Sequence, residues 1–215
     1  MTKETSRKRL DRTTREKLIV EEAIKFFAEF GFEGRTRDLA KRIGITQPLL
    51  YSYFPNKESL IERVYQEVYL QRWNPEWEGI IGDRDRPLEE RLCEFYKAYS
   101  GAVFDYVWVR IFIYSGLKDV NINDRYLSII REKILEPICI ELRNSQGLPK
   151  PTEIPLSDTE IELAWGLHGA FFYRAIRHYV YNLPLTENLD KIIENDVRIF
   201  LKGAPEVQRQ ILCLR

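Results

Sequence analysis

The chain is expected to fold entirely from α-helices, as a small three-helix head joined to a larger helical body. Three observations predict this. Apolar residues recur at three- and four-residue spacing along most of the sequence, residues that start and stop helices bound those segments, and period-two strand signals are scarce. With 215 residues, 44% hydrophobic and 31% charged, the chain has enough apolar surface to bury a core, and this excludes disordered or collagen-like classes.

Taken in order, residues 1–12 (MTKETSRKRLDR) are polar and basic and read as a mobile arm. From about Thr14, the residues Ile19, Ala23, Phe26, Phe27 and Phe30 fall on one helical stripe that Gly31 stops. Thr36 reads as the N-cap of a short helix that ends at Gly44, and Thr46 as the cap of the next, with Pro48 in its first turn, where a missing N–H costs nothing. Pro55-Asn56 breaks that helix, and a connecting helix follows from about Lys57 to Arg72. Pro75 and the GDRDRP stretch mark a connector. Helices are then expected over 87–103, 106–116 and 123–145, the last bent at Pro137. The proline-rich stretch 144–158 is a loop, and two final helices cover about 158–181 and 186–202. The expected organisation is an arm at 1–12, a head at 13–57 with its connecting helix, and a body at 73–215.

Three cysteines far apart (Cys93, Cys139, Cys213) fit neither a disulfide framework nor a metal site, and point to a reducing cytoplasm. The N-terminus has no apolar signal region, and the most apolar stretch, interrupted by Asp105 and Arg110, is too short to span a bilayer. Overall charge is zero, but residues 1–57 carry 13 Lys/Arg against 8 Asp/Glu. A basic head on an acidic body fits a polyanion partner.

Two short helices separated by Gly44-Ile45 have the form of a helix-turn-helix. Leu39, Ile43, Ile45, Leu50 and Phe54 would make a miniature core around Ala40. At 100° per residue, Leu50 and Phe54 share one side of the second helix. Pro48, Leu49 and Ser52 lie opposite, with Gln47, Tyr51 and Tyr53 on the flanks. That outward face suits a major groove. Gln47 can read an adenine edge, Pro48 and Leu49 offer apolar surface to a thymine methyl, and Thr46, Tyr51, Tyr53 and Lys57 can reach phosphates. Arg37 is placed for a guanine or the backbone.

The stretch from Ile19 to Val64 resembles the DNA-binding domain of the TetR/AcrR family of transcriptional regulators. The resemblance rests on A-x-x-x-F-x-E-x-G-F-E, T-R-D-L-A, G-I-T, L-Y-x-Y-F and P-N-K-E-x-L, and covers about the first quarter of the chain. It implies a duplex-DNA operator as partner and contacts from Thr36, Arg37, Thr46, Gln47, Pro48, Leu49, Tyr51, Ser52, Tyr53 and Lys57. It also implies dimerisation through two C-terminal helices and a ligand cavity among the central helices of each subunit.

In the body, the stripes of the last two helices supply candidate pairing residues: Ile161, Ala164, Phe171, Ala175, Ile192, Ile193, Val197 and Phe200. The middle section is rich in aromatics. Tyr99, Trp108, Phe112, Tyr114, Trp165, His168 and Phe172 are the candidate contacts for a small apolar or aromatic effector. His168 and His178 stand without an acid-rich cluster, so no metal and no cofactor are expected. The expectation is a homodimeric repressor released from a palindromic operator by an effector. The alternatives are a DNA-binding regulator controlled by a protein partner and, more remotely, an all-helical enzyme. The sequence contains no H-E-x-x-H, G-x-S-x-G or phosphate-binding glycine loop.

Overall fold

The computed structural model describes residues 11–118 and 121–212. Among these residues every regular element is helical, as expected, and the chain divides after Gln71 into two compact units. The first holds α1 (Arg12–Phe30), α2 (Thr36–Ile43), α3 (Gln47–Tyr53) and α4 (Lys57–Tyr65).

The local chemistry of each boundary is visible. The Asp11 carboxylate accepts from the Thr14 amide at 2.9 Å and starts α1. Gly34, between α1 and α2, lies against the Phe26 ring, where an added Cβ would stand 2.3 Å from Cε1. Gly44 ends α2 in the left-handed region (φ 76°), which costs glycine nothing and turns the chain into α3. Thr46 caps α3, its hydroxyl accepting from the Leu49 amide at 3.3 Å. Asn56 and Ser59 bond reciprocally to start α4. Ile19, Ala23, Phe27, Leu39, Leu50, Leu60 and Val64 are buried almost completely and form the core of this unit.

Several sequence expectations are corrected. Thr36 is not a cap: Arg35 holds that position without a side-chain bond, and Thr36 is the first residue of α2. Ile43 and Ile45 are only half-buried, since only Leu39, Leu50 and Phe54 of the expected miniature core point fully inward. The connecting helix is not uniform. After Tyr65 it widens into a π turn (Gln66–Leu70), closed by the Gln71 amide on the Gln66 carbonyl at 3.0 Å.

The second unit comprises α5 (Glu76–Gly82), α6 (Leu88–Val103), α7 (Tyr106–Gly116), α8 (Ile122–Ile130), α9 (Glu136–Ser145), α10 (Asp158–Tyr179) and α11 (Leu189–Ile211). The stretch read as a connector contains α5, anchored by buried Trp77 and Ile81 one turn apart. The expected helix over 123–145 is split by a π turn at Arg131–Leu135. Pro137 stands just beyond its end, after Glu136, and because it has no N–H to return to Lys133, a wide turn there forfeits little. The final helix continues past residue 202 through Gly203 and Pro205, because Ala204 and Gln208 are buried beyond them. No helix among the described residues is long and apolar enough to cross a membrane.

Two buried ionic networks hold the body together. Glu141 accepts from Arg91 at 2.8 Å and from Arg84 at 2.7 Å. Arg143, 1% exposed, donates to both oxygens of fully buried Glu160 and to the carbonyls of Pro149, Ile154 and Pro155, closing the loop between α9 and α10. Gln208 of α11 joins through the Glu160 carboxylate and the Cys139 carbonyl, each at 3.2 Å.

Candidate nucleic-acid interface

In α3 only Leu50 is buried, and it fixes the rotation of the helix. Pro48, Tyr51 and Ser52 are exposed, while Gln47, Leu49 and Tyr53 are half-buried. Thr46 is exposed at the helix start, and Arg37 is exposed on α2. A groove between α2 and α3 is lined by Arg35, Arg37, Asp38, Lys41 and Gln47. It presents three cations beside one carboxylate, a balance that favours phosphate.

The expected contacts are not all free side chains. Ser52 turns its hydroxyl back to the Leu49 carbonyl at 2.7 Å. Lys57 is half-buried, and its ammonium donates to the Phe32 carbonyl, so it ties the head together before it meets any phosphate. Tyr53 stands under the Arg12 guanidinium, 5.4 Å from the ring centre. Thr36, expected among the DNA contacts, is 9% exposed and sits behind the surface. Its hydroxyl accepts from Gln47 Nε2 at 3.0 Å and lies 2.9 Å from Tyr51 Oη. Apart from Asp11 and Arg12, the basic arm expected at 1–12 lies outside the described residues, as does Cys213.

The pairing residues expected on the last two helices need correction. Ile161, Ala164, Phe171, Ala175, Ile193 and Val197 are each 5% exposed or less. Their stripes face the interior of the body, because α10 and α11 close its core. Only Ile192 and Phe200 of that set are partly accessible. The outward apolar residues are Ile199 (71% exposed), Tyr173 (55%) and Val207 (41%), with Gly166 and Gly203 also exposed.

The expected effector contacts are also mostly packed. Tyr99 meets His168 (5.3 Å between ring centres), His168 meets Trp165 (5.9 Å), and Phe112 meets both Trp108 (4.9 Å) and Phe172 (5.3 Å). Tyr99 and Tyr126 share a hydrogen bond at 3.0 Å. Tyr114 instead receives a bond from Arg110 at 2.7 Å. Burial drives the His168 imidazole down to about 4, so it is neutral at ordinary pH, and its Nδ1 is buried without a partner. None of the seven lines a cleft on α6 and α10 that the body contains. That cleft, of about 60 Å³, is bounded by Ser100, Phe104, Phe171, Arg174, Tyr179 and Leu185, among others. Ser100 Oγ and Arg174 Nη1 are buried there without hydrogen-bond partners, while Arg174 Nη2 pairs with Asp196 at 2.7 Å. Sequence reading missed both residues. The available signal was a polar residue on the inward stripe of a helix, the same signal that marks Arg91, Arg143 and Gln208. Among the described residues no group of three His, Cys, Asp or Glu side chains could hold a metal ion.

Comparison with known proteins agrees with this geometry. The family model for bacterial regulatory proteins of the tetR family matches residues 19–64, from within α1 to the end of the α4 core. An HTH-type transcriptional regulator of Bacillus subtilis, YhgD, is 40% identical over 52 residues. That match covers 24% of this chain and spans only about a quarter (27%) of the relative's own length. Across nearly the whole chain the fold is that of solved regulators. A TetR-like transcriptional regulator from Rhodococcus sp. RHA1 matches with a TM-score of 0.66 at 21% identity, covering 91% of this chain and 100% of that one. The fatty acid degradation regulator FadR from Bacillus halodurans matches with a TM-score of 0.61 at 14% identity, covering 91% and 98%. Those two likenesses establish the fold, and the family-model match is confined to the head. Residues 19–64 are similar to the DNA-binding head of bacterial regulatory proteins of the tetR family, and the helical body shares the fold of solved regulators.

Proposed function

We propose that the protein is a cytoplasmic, homodimeric repressor that reads a palindromic operator through α3 of each copy and leaves it when a small apolar or aromatic effector binds the body. The observation that carries this reading is the division of α3. Leu50 alone is buried, and the face that starts at Gln47 and includes Pro48, Tyr51 and Ser52 is turned to solvent beside a basic groove. In this reading Gln47 reads a base edge, Pro48 and Leu49 meet thymine methyls, and Arg37, Thr46, Tyr51, Tyr53 and Lys57 hold the backbone.

One such helix covers too few base pairs for selectivity, so two copies are needed, with recognition helices about 34–36 Å apart. Exposed Tyr173 on α10 and exposed Ile199 and Val207 on α11 supply apolar surface for that pairing, and Gly166 and Gly203 permit close approach. For the effector, the cleft beside Ser100 and Arg174 joins apolar walls to two unsatisfied donors, the composition that small-ligand sites use. At about 60 Å³ it holds only a few waters' worth of space, so a larger effector must part its walls. That requirement supplies a difference between bound and free states. A near-complete switch needs a preference of roughly 5 kcal/mol for the released state.

Selection of bound duplexes from a random pool, followed by footprinting, tests this function. The expected result is two inverted half-sites about one helical turn apart, with binding abolished by a compound that also raises the melting temperature. A single half-site protected by one copy would refute the dimeric reading. A dimer whose affinity no small molecule alters would favour control by a protein partner.

A further inference from the structure

Thr36 carries one proton and two lone pairs, and its surroundings decide where they go. Gln47 Nε2 is a donor only, and at 3.0 Å it occupies one lone pair of Thr36 Oγ1. Tyr51 Oη, 2.9 Å away, is the other polar atom within bonding distance of that hydroxyl. Either hydroxyl of that pair can donate; the arrangement that uses the Thr36 proton sends it to Tyr51 and leaves the proton of Tyr51, 37% exposed, free for an outside acceptor. In that arrangement the three groups form a directed chain from the Gln47 amide through the Thr36 hydroxyl to the Tyr51 hydroxyl and the solvent.

We propose that Thr36 is a positioning residue that couples base reading by Gln47 to a phosphate contact by Tyr51. This rests on the reading of α3 as the groove-facing helix. With one N–H given to Thr36, the Gln47 amide is held in one orientation and presents outward Oε1 as acceptor together with its second N–H. That pair complements adenine N6–H and N7. A phosphate oxygen accepting from Tyr51 polarises the Thr36 hydroxyl toward Tyr51, which strengthens the bond from Gln47 and sharpens its orientation. Thr36 itself touches no nucleotide.

The test measures binding of the full-length protein to duplexes recovered by selection, with all four base pairs tried in turn at the position Gln47 reads. Gln47→Ala is expected to lower the preference for adenine there by about tenfold. Thr36→Val keeps the shape and loses the hydroxyl, so it is expected to lower the same preference at least threefold, and Thr36→Ser is expected to restore it. Tyr51→Phe is expected to weaken all duplexes and also to narrow the adenine preference. In a double-mutant cycle, Gln47→Ala with Tyr51→Phe is expected to show at least threefold non-additivity, which disappears when Thr36 is valine. Melting curves of each variant separate unfolding from altered reading, and the Tyr51 cycle alone suffices if Thr36→Val does not fold. Uniform weakening on all four base pairs by Thr36→Val and Tyr51→Phe, or an additive cycle, overturns the coupling while leaving α3 as the reading helix. An unchanged preference in Gln47→Ala overturns both.

Discussion

Replacing Arg143 by methionine puts the buried wiring of the body to a quantitative test. Arg143 is 1% exposed and Glu160 fully buried, with the two bonded at 2.8 and 2.6 Å. Arg143→Met leaves the Glu160 carboxylate with Gln208 and the Ser157 amide, each at 3.2 Å, and the Ser157 hydroxyl at 3.4 Å, and strips donors from the carbonyls of Pro149, Ile154 and Pro155. Removing one partner of a buried pair costs about 3–5 kcal/mol. For a unit of this size that corresponds to a drop in melting temperature on the order of 10 °C. The dependence on pH sharpens the test. Burial pushes the Glu160 carboxyl up, but the bonds from Arg143, Ser157 and Gln208 more than offset it and hold it below the usual glutamate value. In the wild type its contribution is therefore present above pH of about 4.5 and is lost as pH falls through the lowered value. Without Arg143, burial dominates and the carboxyl rises, so the variant gains stability as pH falls from 7 toward 5. The gap between the two melting temperatures should narrow over that range. Adding Glu160→Leu should recover part of the loss, though not the cap that Glu160 supplies to Ser157. The reasoning fails if Arg143→Met melts within about 1 kcal/mol of wild type, or if the gap is independent of pH.

Three further outcomes are expected. Ile199→Glu, at a position 71% exposed, should abolish the proposed pairing in light scattering while changing the stability of the single copy by less than about 0.5 kcal/mol. His168, held neutral by burial with its folded value near 4, should lower stability as pH falls from about 6.5 toward 4; His168→Phe should remove roughly 3 kcal/mol of that acid loss, read from denaturation at several pH values. Lys57→Met should weaken all duplexes equally and reduce the salt slope by about one. It should also cost about 1 kcal/mol of stability, because the Phe32 carbonyl loses its donor.

The head was legible because its signals are local. Gly44, Thr46, Asn56 and the single inward Leu50 act within a few residues of themselves, and counting 100° steps is enough to orient α3. The body was legible in its elements but less so in its surfaces. A stripe such as Ile161, Ala164 and Phe171 announces that one face is covered, yet periodicity does not say whether the same chain or a second copy covers it. In this fold the same chain does. From the sequence the last helix is expected to end near residue 202, but α11 runs on through Pro205 because buried Gln208 is tied to Glu160 and Cys139, which lie far away in sequence. Trp77 and Ile81 give only two anchors, too few to announce α5. Likewise the partnerless Ser100 and Arg174 become meaningful only once α6 and α10 are side by side, a relation that no sequence window contains.

The most direct measurement is fluorescence anisotropy of labelled duplexes recovered by selection, titrated with wild type and with Gln47→Ala at several salt concentrations. The account predicts tight binding by the wild type that falls steeply with salt, and a variant that still binds but has lost discrimination at one base pair of each half-site. Absence of a complex even in dilute buffer, or a variant with unchanged base preference, would contradict it.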